Sequence, residues 1–244
     1  MSQFPYQPQP QPQPQQGWID GTTVETQQRV RAFFRLVYGW MFGGLVLTTL
    51  AALWVATSEP MQRLILGNRA MPWVLFIGEL GIVMFLSFRI TKMSPAAAAS
   101  AFLVFSLLNG LSLSVIFFVY TAATIFQAFA SAAGMFGAMA LYGALTKKDL
   151  TSWGNFFFMG LIGILICSFI NFFLHSSAMA WTISVIGVFV FLGLTAYDNN
   201  KLRKMALVSG PTENYAVMGA LALYLDFINL FLFLLRIFGG SRRT

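Results

Sequence analysis

The chain has 244 residues, 57% hydrophobic and only 9% charged, where an ordinary soluble domain carries about a quarter charged residues. No soluble fold hides that much apolar surface, so one membrane domain and no soluble domain is expected. The net charge of +7 does not point to nucleic acid: the 15 lysines and arginines stand singly or in small groups between apolar runs, with no basic patch interleaved with aromatics.

Residues 1–16 alternate Gln and Pro almost strictly, a composition that buries nothing and favours extended conformers. A disordered cytoplasmic tail is expected over residues 1–28, and no removable signal peptide is evident. The membrane domain is expected over residues 29–244. It opens with a polar segment that carries Arg29, Arg31 and Arg35 to the edge of the first span.

Apolar runs then follow at 36–56, 71–88, 96–120, 122–145, 153–174, 178–197 and 215–235. Each is near the roughly 20 residues that cross about 30 Å of hydrocarbon at 1.5 Å per residue. The fold class expected is all-α and integral to the membrane, a seven-transmembrane-helix bundle. No charge occurs from Met93 to Thr146, a stretch of 54 residues, so the chain must turn back within it, near 120–127. The glycine pairs Gly39 and Gly43, Gly134 and Gly137, and Gly160 and Gly163 are expected at close helix contacts inside the bundle, in preference to a dimerisation face.

Orientation follows from the Lys and Arg count in the loops. With the amino terminus in the cytoplasm, ten lie inside (Arg29, Arg31, Arg35, Arg89, Lys92, Lys147, Lys148, Lys201, Arg203, Lys204) and five outside (Arg63, Arg69, Arg236, Arg242, Arg243). A re-entrant last run would move the carboxyl-terminal three inside. A multi-pass protein of a bacterial inner membrane with its amino terminus cytoplasmic is expected. The lipid bilayer is its first partner.

Three of the eight acidic residues lie where water does not solvate them: Glu79, Asp198 and Asp226. A charge at mid-bilayer costs about 2.5–3.5 kcal/mol on insertion scales, so each must face the bundle interior, carry a proton or have a partner. The turn signal Gly210-Pro211 places Asp198 and Asp226 at similar depth on an antiparallel hairpin, since 212 is the midpoint between them. This requires the two helices to project beyond the membrane, with 201–204 on the projection. Facing carboxyls in a low-dielectric site tend to share a proton and titrate as a pair. The plainer alternative has Asp198 ending its helix and Asp226 satisfied by Asn229 or Tyr224. Arg89 closes the second span on the same side as Asp198, where it either pairs with the aspartates or snorkels to the interface. Glu79 is a further intramembrane carboxylate whose partner the sequence does not name.

At these residues the chain resembles the Bax inhibitor-1 family, also called transmembrane Bax inhibitor motif proteins, in its bacterial branch. The match is carried by Leu223-Tyr224-Leu225-Asp226-Phe227-Ile228-Asn229-Leu230-Phe231, continuing to Arg236, Phe238 and Gly239. Lys147-Lys148-Asp149-Leu150 and Thr195-Ala196-Tyr197-Asp198 support it. The resemblance implies seven helices with the last one surrounded by the others, and a pH-sensitive calcium leak. It implies that Asp198 and Asp226 form the pH sensor and meet calcium transiently on its path, and that an arginine near the end of the second helix, here Arg89, latches them. No cofactor is expected, and no enzymatic activity.

Two other functions compete. A modulator that binds other membrane proteins, such as a membrane protease, needs no transport pathway. An intramembrane aspartyl protease would use Tyr197-Asp198, but Asp226 lacks the Gly-x-Gly context and the following Pro-Ala-Leu that such an enzyme needs. The seventh run holds no lysine for a retinal Schiff base, and the single His175 excludes a multi-histidine metal site.

Overall fold

The structure, a computed structural model, describes residues 24–208 and 213–240. The Gln/Pro segment, the Gly210-Pro211 turn, Arg242 and Arg243 lie outside the described residues. Helix α1 (Val24–Thr57) begins just upstream of the arginines and crosses the first apolar run without a break. A short helix α2 (Glu59–Ile65) leads to α3 (Met71–Arg89), which a single 3-10 turn, Ile90–Lys92, closes. There follow α4 (Pro95–Leu113), the one-turn α5 (Ile116–Val119), α6 (Ala122–Leu145), α7 (Thr151–Leu174), α8 (Ser177–Val208) and α9 (Glu213–Gly240). With α4 and α5 taken as one crossing, seven segments are long and apolar enough to span a membrane. No strand occurs among the described residues.

Local chemistry sets the boundaries. Ser94 accepts a hydrogen bond from the backbone N of Ala97 (3.3 Å) just before Pro95, a favourable first helical residue. The fold-back expected near 120–127 falls at Thr121, whose Oγ1 caps α6 by accepting from Thr124 N (3.2 Å). His175 ends α7 in the left-handed region at φ 51°, and Ser176 caps α8 through Met179 N (3.3 Å).

The last helix is the most enclosed: 72% of its most apolar stretch is buried, against 39% for α8 and 6% for α7. It packs on α1, α4, α6 and α8. It is also unbroken over 28 residues, about 42 Å at the α-helical rise, which is enough for a full crossing and leaves no break for a re-entrant turn. The α8 helix runs ten residues beyond Asp198 to Val208, and so carries 201–204 as a continuation of the same helix.

The glycine expectation requires correction. A Cβ at Gly39, Gly43, Gly134, Gly137 or Gly163 would meet nothing within 4 Å; of the six named, only Gly160 has a neighbour, Val190. The close approaches use other glycines. Gly143 lies against the Ala196 backbone and joins α6 to α8, Gly110 lies against Thr48 and Ala51 and joins α4 to α1, and Gly187 lies under the ring of Phe233 and joins α8 to α9. In lipid, where apolar area gives little attraction between helices, such contacts hold the bundle by close packing.

Candidate functional site

The α8 and α9 helices bring the two sequence-selected aspartates together. Asp226, at the midpoint of α9, is 4% exposed, and its carboxyl lies within side-chain hydrogen-bonding reach of that of half-buried Asp198. Two carboxyls can bond each other only when one of them holds a proton. Asp226 Oδ2 is buried and finds no donor among the described residues. The plainer alternative does not fit this arrangement. Asn229 gives its amide to Leu225 O (2.8 Å) and Tyr224 is engaged elsewhere, while α8 continues well past Asp198. Beside the pair, Asn199 is buried and accepts from Tyr38 OH (2.6 Å), which ties α8 to α1.

Glu79 acquires the partner that sequence reasoning missed. Its carboxylate accepts from Asn109 Nδ2 (3.1 Å) and from Ser112 Oγ, both on α4. Asn109 Oδ1 in turn accepts from Tyr224 OH (2.9 Å), which lies 2.6 Å from Thr48 Oγ1, and Thr48 is 2.9 Å from Ser106 O. One polar chain therefore links α3, α4, α9 and α1 through the bundle. Two hydroxyl protons, on Thr48 and Tyr224, serve three contacts, so these hydroxyls can exchange direction. The Tyr224 ring is fully buried between the edges of Phe102 and Phe105, at 5.7 Å from each. A signal was present in the sequence: Asn109 and Ser112 sit three residues apart in an uncharged span, on one helix face.

Comparison with known proteins shows the family. The family model described as "Inhibitor of apoptosis-promoting Bax1" matches residues 30–243. The chain belongs to the Bax inhibitor-1 family. It is 48% identical over 224 residues to "Inner membrane protein YbhL" of Escherichia coli K12, covering 90% of this chain and 96% of that one. An uncharacterised protein of Deinococcus radiodurans is 42% identical, with 91% and 95% covered. One of Borreliella burgdorferi is 39% identical over 214 residues, with 86% and 92% covered.

Two further sets of contacts hold loops against the bundle. The loop around 147–150 is pinned to the last turns of α8. Lys204 holds Asp149 and reaches Thr151 Oγ1 (2.9 Å), Arg203 donates to Thr146 O (2.9 Å), and Asn200 Oδ1 accepts from Leu150 N (3.4 Å). At the start of α9, Asn214 Nδ2 donates to Ile90 O (3.1 Å) and Met93 O (2.7 Å), stapling the end of α3. Arg89, on that stapled end, is exposed and forms no ion pair within 4 Å with Asp198 or Asp226. The next cation along α8 is Lys201, one turn past Asp198, whose Nζ lies 5.9 Å from the centre of the Tyr197 ring.

Among the described residues no three His, Cys, Asp or Glu side chains converge to hold a metal ion. A cation meeting Asp198 and Asp226 would find two carboxyls, well short of the six to eight oxygens of a resident calcium site. His175 is exposed and half-buried Cys167 packs against the core.

Proposed function

We propose that this protein is a pH-sensitive calcium leak of an inner membrane, with Asp198 and Asp226 as its proton sensor. The observation that carries the reading is the contact of two carboxyls deep in the bundle, one of them at the midpoint of its most enclosed helix. With a shared proton the pair carries one negative charge spread over both carboxyls and bridges α8 to α9. When that proton leaves, two full negative charges face each other in a poor dielectric and repel, which loosens the bridge and leaves a doubly anionic station for a cation. Calcium, a hard cation that prefers oxygen ligands, suits a carboxyl pair. The short ligand set keeps the encounter transient, as conduction requires.

Arg89 enters this reading as a latch in a conformation other than the one described, since it stands free of the carboxyls here. The amino terminus is proposed to be cytoplasmic. The arginines of α1, the loop after α6, the end of α8 and the end of α3 meet at one end of the bundle, and loops rich in lysine and arginine remain in the cytoplasm.

The test is calcium flux into dye-loaded proteoliposomes across pH 6 to 8, for wild type, Asp198→Asn and Asp226→Asn, with insertion and folding checked for each. A wild-type flux that depends on pH, and loses that dependence in both variants, is expected. Flux absent from wild type at every pH would overturn the channel reading and favour a protein that acts by binding others.

A further inference from the structure

Away from the aspartates, a cleft of about 420 Å³ opens where α1, α6 and α8 meet at the basic end of the bundle. Its polar lining is Gln27 and Arg31 from α1 and Arg203 from α8, and its apolar wall includes Phe34 and Leu145. Arg31 is exposed and has no ion pair or hydrogen bond to any described residue. Arg203 spends one N–H on Thr146 O, at the carboxyl end of α6, and is held in place by it. Acidic side chains close in sequence do not neutralise the cleft: Glu25 is paired with Arg29 (2.7 Å) and Asp149 with Lys204.

Depth identifies the occupant. Arg31 precedes the first apolar run at residue 36 by five residues and Arg203 follows the sixth, ending at 197, by six. At 1.5 Å per residue their backbones are about 8 and 9 Å beyond the hydrocarbon, at the outer edge of a headgroup layer about 5–7 Å deep, and a long arginine side chain reaches back from there to the phosphates. Leu145, at the end of a span, is 68% exposed and lines the same cleft. One guanidinium held by the end of α6 and a second, unpaired one on α1, at headgroup level above an apolar wall, match one amphipathic anion, and basic pockets between spanning helices bind anionic headgroups.

We infer that this cleft is a binding site for an anionic phospholipid, whose phosphate lies between Arg31 and Arg203 and whose acyl chain lies along Phe34 and Leu145. An occupant there bridges α1 to α8, the helix that carries Asp198. The site is independent of the channel reading, because its chemistry requires no ion pathway.

The experiment is native mass spectrometry of the full chain, delipidated in detergent and titrated with phosphatidylglycerol or phosphatidylcholine. The variants are Arg31→Gln, Arg203→Gln, the double variant, and Arg63→Gln as a basic control on the short helix α2. Because Arg31 holds no internal bond, its variant reports binding even if loss of the Arg203 bond disturbs folding. Preferential retention of phosphatidylglycerol is expected, weakened about fivefold by Arg31→Gln and roughly 25-fold by the double change, with Arg63→Gln unchanged. Equal loss in the Arg63 variant, or none in the double variant, overturns the site. Displacement of phosphatidylglycerol by millimolar glycerol phosphate would show that a free phosphate, and not a lipid, is the ligand, and would overturn the inference as stated.

Discussion

Tyr224 and Asp226 stand two residues apart on α9 and serve opposite sides of it. The Tyr224 hydroxyl joins the polar chain that runs through Thr48 and Asn109 to Glu79, on α1, α4 and α3. The Asp226 carboxyl meets Asp198 on α8. Two residues advance a helix by about 200°, so the motif Tyr-Leu-Asp places one polar group on each side of an otherwise apolar helix. The enclosed helix thus connects two polar systems that share no side chain.

The carboxyl pair should behave as a unit. Combining Asp198→Asn with Asp226→Asn is expected to change proteoliposome flux no further than either single substitution, because residues in direct contact are not additive. Independent, summed effects would show that the two groups act separately.

Tyr224→Phe keeps the ring in its slot and removes the hydroxyl that Thr48 and Asn109 share. A stability loss of about 1 kcal/mol is expected, in the range measured for hydrogen bonds inside membrane proteins, with the pH profile of flux retained. Loss of the pH response in a folded Tyr224→Phe protein would mean that the two polar systems are coupled.

Gly143→Leu should destabilise by about 1–3 kcal/mol, because its side chain must enter the Ala196 backbone of α8. Gly137→Leu, at a position on the same helix with open space around it, is expected to be tolerated. Thermal unfolding in detergent ranks the two, and the reverse order would contradict the packing described.

Asp149 lies outside the spans, where hydrogen bonds from Lys204 and Thr151 hold its carboxyl well below the usual carboxylate range. A lowered folded-state value stabilises at pH above the unfolded value of about 3.9, and that contribution disappears as pH falls through the folded value. Asp149→Asn should therefore unfold at a slightly lower temperature than wild type at pH 7, and the gap should close on acidification below about pH 4. A gap that widens at low pH would reverse the assignment.

Topology is open to labelling with a membrane-impermeant maleimide in whole cells. Cysteines introduced beside Arg63 and His175 should react from outside, and those beside Lys147 and Arg203 should not. Labelling at Lys147 would invert the proposed orientation.

By itself the sequence determined the class of protein and the seven spans and singled out Asp198 and Asp226, because bilayer thickness demands long apolar runs and penalises each charge within them. The continuation of α8 past Asp198 was also legible, as the arithmetic that aligned Asp198 with Asp226 required it. Only the tertiary structure decided which glycines are close contacts and which residue satisfies Glu79. In a lipid-embedded helix the outward face is as apolar as the inward one, so nothing along the chain separates exposed Gly43 from buried Gly44, or shows that Asn109, thirty residues from Glu79, stands beside it. The cleft between Arg31 and Arg203 was hidden for the same reason. Residues 172 positions apart share a site only once α1 and α8 have packed.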